Sequence, residues 1–175
     1  MFKRILVYLD GSKFAEEILP YVIEQAKSFN SKVFLLKVNT VPSYLPAYSA
    51  MPGITSGASA GWAIKLEEID TKSYLDKMIR ELGEMGLDVK PLIHTGPVID
   101  IVLKCIRDNA IDLIAMTSQT YKGWKRLFLG SITENILREC NIPLLVINPY
   151  EKPGAVKSKE DEKSYHPDES RRAIS

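Results

Sequence analysis

Short runs of Val, Ile and Leu alternate along this chain with longer segments in which apolar residues recur every three or four positions. That alternation constrains the fold more than any other feature. A brief β-branched run suits a strand buried on both faces, and a helix between two such strands supplies the crossover that parallel pairing needs. The expected architecture is therefore α/β and Rossmann-like, a five-stranded parallel sheet flanked by about four helices. Crossovers of this kind are right-handed, and five strands so connected favour the order 3-2-1-4-5.

The first strand is "KRILVYL" at 3–9, followed from Ser12 by a helix to about Phe29, whose candidate inward positions include Phe14, Ile18, Tyr21, Val22 and Ala26. The second strand is "KVFLLKV" at 32–38. Prolines, small residues and aromatics then mix without period, so 39–63 reads as a long inserted loop. A second helix is expected from about Ile64 to Glu84, with Leu75, Met78, Leu82 and Met85 as its core stripe. The third strand, "LDVKPLIHTG", contains Pro91, which cannot donate to a ladder and so places this strand at an edge. A helix over Val98 to Asn109, a strand at 111–117, a helix over Ser131 to Glu139 and a strand at 143–148 complete a domain spanning 1–150. The remaining 151–175 is nearly all polar, with six acidic and six basic residues, and reads as a disordered tail.

Composition excludes several classes. With 23 basic and 22 acidic residues, the global charge points to neither nucleic acid nor a membrane surface. No apolar run approaches the ~18 residues of a membrane span. The N-terminal apolar run is too short for a signal peptide, and two cysteines, Cys105 and Cys140, suit a reducing cytoplasm better than a disulfide framework. Neither G-x-x-x-x-G-K-[ST] nor G-x-G-x-x-G occurs. The two histidines, His94 and His166, are too few and too far apart for a clustered metal site or a hydrolytic triad.

In the expected strand order, the first and fourth strands adjoin where the winding reverses, and ligands bind beyond the carboxyl ends of strands at such a point. Asp10 ends the first strand just before a Gly-Ser. A carboxylate there could accept from a ribose hydroxyl or help hold hydrated magnesium, or it could simply favour the entry to a helix. Met116 and Thr117 end the fourth strand. Downstream, Gly130-Ser131 opens a helix whose unpaired amides suit a phosphate, and Ser131 and Glu134 have the spacing of a capping box. Lys122, Lys125 and Arg126 could neutralise phosphate charge, while Trp124 and Phe128 would anchor the loop.

"ILVYLDGS", "LLKV", "TGPVIDIV" and "DLIAMTSQTYKGWKRLFLGSITENILRECNIPLLVIN" together closely resemble the universal stress protein family, over about 1–39 and 64–148. The resemblance implies an α/β member of the adenine-nucleotide hydrolase-like group, often a homodimer paired through its fifth strand. In the ATP-binding branch the motif is Gly, two residues, Gly, nine residues, then Gly-Ser or Gly-Thr. Here Thr117 and Thr120 replace the first two glycines, and Gly130-Ser131 matches the last pair. The resemblance also implies that Asp10 meets the ribose or nucleotide and that the Val38 backbone meets adenine. Met116 would then lie beside the purine, Gly123 match a further loop glycine, and Ile132 follow the phosphate-binding Ser131. The implied ligand is ATP or a related adenine nucleotide, with Mg2+ accompanying it, bound for regulation with slow or no hydrolysis. A β-branched residue disfavours the dihedrals glycine reaches freely; Thr117, at a strand end, needs no unusual dihedral, and Thr120, where the loop would wrap the phosphates, is the greater departure. The alternative is accordingly a non-nucleotide-binding dimeric interaction module, with 39–63 as a surface for a protein partner and strand 143–148 as the homodimer edge.

Overall fold

The structure, a computed structural model, describes residues 1–39, 56–118 and 131–149, with 56–67 and 131 described by backbone alone. The described elements run β1 (Arg4–Tyr8), α1 (Lys13–Glu16), α2 (Leu19–Phe29), β2 (Lys32–Asn39), α3 (Ser56–Glu84), β3 (Asp88–Thr95), α4 (Val98–Asp108), β4 (Leu113–Thr117), α5 (Ser131–Glu139) and β5 (Leu144–Ile147). All pairings are parallel, in the order β3-β2-β1-β4-β5. Pro91 indeed lies on an edge strand. The tail beyond Pro149 and residues 40–55 lie outside the described residues.

Period-two alternation sorts the strand side chains onto two faces. Ile5, Val7, Leu9, Val33, Leu35, Leu113 and Ala115 pack with α1, α2 and α3. Leu6, Phe34, Leu36, Val38, Ile114 and Met116 pack with α4 and α5. Both faces of the three inner strands are thus dry, which is why those strands read as unbroken apolar runs.

Three details depart from the sequence expectation. The first helix is two helices. Pro20 has no N–H to give the Glu16 carbonyl, so the chain breaks after α1 and restarts with Pro20 in the first turn of α2, where a missing donor costs nothing. Residues 56–63, read as loop, are the start of α3. Once the packed turns of α3 exist, each added residue gains a bond without a new nucleus, and the alanines at 58, 60 and 63 favour propagation. Finally, Leu75, Met78 and Leu82 are buried, but Met85 is half exposed, and so is Tyr21. The helix has ended at Glu84, and Gly86 (φ +82°) turns the chain away, with Leu87 N–H closing onto Leu82 O.

Leu75 is fully buried between α3 and the sheet. Leu75→Ala should destabilise the protein by about 3 kcal/mol in urea unfolding with an unchanged m-value. A loss under about 1 kcal/mol would show that α3 is not anchored by this stripe.

Candidate functional site

The carboxyl ends of β1, β2 and β4 converge at one edge of the sheet. There the crossovers from β1 and β4 leave on opposite faces. Leu9 N–H still bonds Leu36 O at 2.9 Å, so β1 stays locked to β2 up to the residue before Asp10. Gly11 then adopts φ +93°, a conformation costly for any residue with a Cβ. Ser12 N–H donates to Asp10 Oδ1 at 2.8 Å, and Ser12 Oγ accepts from Ala15 N–H at 3.1 Å. The Asp10 carboxylate is therefore oriented by its own turn, and that turn is the cap of α1.

On the α4/α5 face, Tyr8 of β1, Val38 of β2 and Met116 of β4 share one apolar cluster, with Ile132 of α5 packed against it. Thr133 of α5 is buried, and its hydroxyl donates to Met116 Sδ at 3.7 Å. Burial, and then the Asp10 carboxylate, pushes the Tyr8 phenol up to about 12. Thr117 is buried as the last residue of β4, inside an extended strand that β-branched residues favour. Glycine is not needed there. Ser118 follows, its N–H bonding Ile147 O at 2.8 Å.

On the opposite face, Asn39 is buried, with its Oδ1 accepting from the Thr71 hydroxyl at 2.8 Å. Its Nδ2 and the Tyr74 hydroxyl are buried with no partner in hydrogen-bonding geometry among the described residues. Burial first, then the Glu16 and Asp10 carboxylates, raise the Tyr74 phenol far above its usual range.

The structure thus brings Asp10, Val38, Met116, Thr117 and Ile132 to one end of the sheet, and α5 begins at Ser131 as expected. The Glu134 carboxylate reaches forward to Arg138 at 2.7 Å, where the capping-box spacing pointed back toward Ser131. Thr120, Gly123 and Gly130 lie outside the described residues, as do Lys122, Lys125, Arg126, Trp124 and Phe128. Tyr8, Lys37 and Asn39 were missed by sequence reasoning. Strand parity could have found Tyr8, since it shares a face with Met116; Lys37 and Asn39 needed the pairing register. Among the described residues, no three His, Cys, Asp or Glu side chains group as metal ligands, and no helix is long and apolar enough to cross a membrane. Cys105 and Cys140 are both free thiols, and their burial raises both above the usual thiol range.

The universal stress protein family model matches residues 1–148. The chain belongs to that family. Universal stress protein MJ0577 of Methanocaldococcus jannaschii is 28% identical over 159 residues, covering 84% of this chain and 95% of that protein. Among solved structures, a universal stress protein family member from Arabidopsis thaliana with AMP bound has a TM-score of 0.59 at 12% identity, covering 93% of this chain and 96% of its own. A universal stress protein in complex with cAMP has a TM-score of 0.55 at 18% identity, covering 84% and 97%. At those identities the likeness is one of fold.

Tyr8 ties this universal stress protein's stability to alkaline pH. An unfolded tyrosine releases its proton near pH 10, whereas the folded Tyr8 keeps it to about 12. The folded state therefore binds more protons across that window, and stability falls as pH rises through it. Tyr8→Phe, which cannot ionise, should lose less thermal stability than wild type between the two sides of the window. Equal losses would mean that Tyr8 is not the group responsible.

Proposed function

We propose that this universal stress protein is a regulatory or sensor module that binds ATP or a related adenine nucleotide in the β1/β4 crevice, with slow or no hydrolysis. The observation that carries this reading is the Asp10 carboxylate, held on its turn at the end of β1 beside the apolar group of Val38, Met116 and Ile132. A purine needs apolar contact on its faces and a ribose needs a fixed acceptor for its hydroxyls. The first is supplied by that group and the second by Asp10. The phosphates would fall toward Gly130-Ser131 at the start of α5, with Thr120 and Gly123 in the preceding segment, and Mg2+ would arrive with the nucleotide. Universal stress proteins of the same fold carrying AMP and cAMP support the adenine part of this reading. Thr117 is no obstacle, because its extended backbone suits threonine.

Calorimetric titration of magnesium-ATP into nucleotide-stripped protein tests it, with AMP and cAMP as comparison ligands. Wild type should saturate, and Asp10→Ala and Gly130→Leu should lose binding. Absence of heat and of displacement for all three nucleotides would sink the reading. The interaction module, with 39–63 as its partner surface, would then take its place.

The reading includes a homodimer. β5 pairs with β4 along one side only among the described residues, and its Leu144, Leu145, Val146 and Ile147 are only partly covered. Two copies joined through 143–148 would cover an apolar edge that otherwise invites aggregation. Sedimentation at micromolar concentration should give the dimer mass; a monomer would contradict the pairing.

A further inference from the structure

Lys37 reaches the Asp10 turn from the neighbouring strand. It sits at an odd position of β2, on the face that carries Val33 and Leu35 and packs against α1 and α3, and so it lies behind the turn. Its Nζ donates to the Asp10 main-chain oxygen at 2.8 Å. A Cβ on Gly11 would meet Lys37 Cε at 3.3 Å and Nζ at 3.6 Å, so the aliphatic stem lies over the glycine. Among the described residues, the charged or titratable groups shown to act on this region include Asp10 itself, Tyr8 of β1, Glu16 of α1 and Tyr74 of α3. Glu16 is already engaged by Lys13 at 2.8 Å.

A glycine gives the chain equal access to both signs of φ, so the peptide plane between Asp10 and Gly11 is the least constrained link in the turn. Rotating that plane changes ψ of Asp10 and φ of Gly11, and so moves Ser12 N–H relative to the Asp10 carboxylate that it orients. The ammonium on Asp10 O prevents the rotation by a charge-assisted bond, and the stem blocks the space from behind.

We propose that Lys37 is a positioning residue. It locks the Asp10–Gly11 peptide, and through it holds the Asp10 carboxylate in the orientation that receives the nucleotide's ribose. The ligand half of this inference rests on the nucleotide reading above; the locking half does not.

The experiment compares wild type with Lys37→Met, which keeps the stem and removes the ammonium, and with Lys37→Arg, which keeps the charge. Lys32→Met removes one positive charge from the far end of the same strand, where Lys32 pairs with the exposed Asp88, and controls for net charge. In ligand-free protein, Lys37→Met should accelerate hydrogen exchange of the Ser12 amide by about tenfold while the Val7 amide is unaffected. Its magnesium-ATP dissociation constant should rise about tenfold, with partial rescue in Lys37→Arg and no change in Lys32→Met. An affinity within about twofold of wild type in Lys37→Met overturns the positioning role, whatever the exchange rate. Unchanged Ser12 protection overturns the lock. If wild type binds no nucleotide, the nucleotide reading and the ligand half fail together, and the exchange measurement, made without ligand, still decides the lock.

Discussion

Parallel strands cannot be joined by a tight turn, so each must be followed by a crossover that carries the chain back along the sheet. Everything else in this protein follows from that constraint. The crossovers cover the sheet on both faces, the covered strands become apolar throughout, and every strand ends at the same edge. Because β1 sends its crossover to one face and β4 to the other, the strand ends between them are left uncovered by either helix layer. The crevice is a by-product of the winding, present before any particular side chain is chosen.

A small set of polar contacts lies at the rim of this crevice. Gly11 allows a turn that no other residue enters cheaply, Ser12 uses that turn to orient Asp10 and to cap α1, and Lys37 closes it from behind. Each contact is modest alone, since an intramolecular hydrogen bond contributes about 1 kcal/mol net. Together they leave the carboxylate few alternatives. The buried Asn39 amide and Tyr74 hydroxyl show the other side of the same economy: polar groups were accepted into the interior next to this turn, where apolar residues would pack with less cost.

Most of the architecture was legible in the residues because it depends on local period and on general rules of connection. The apolar runs, the proline in "VKPLI" and the right-handed crossover rule lead to the observed order of strands and to Pro91 at the edge. Asp10 and Met116 were legible as neighbours for the same reason. The misreadings fall where tertiary packing or a single backbone donor intervenes. Pro20 splits a helix that periodicity shows as continuous. Residues 56–63 look like loop by composition yet continue a helix anchored by turns far downstream.

The sequence by itself determined the fold class, the strand order, the family and the residues that end the strands, because these are written in periodicity, motif spacing and chain connectivity. Only the tertiary structure decided how the Asp10 turn is held. Lys37 and Gly11 are 26 residues apart in the chain, and they meet because β1 and β2 pair in one register, with Tyr8 opposite Leu36. A register slip of one residue would have turned Lys37 to the other face and left the turn unsupported. Thr117 was legible without the fold: the sequence already puts it at a strand end, where no unusual dihedral is needed, and it is the last residue of the extended β4.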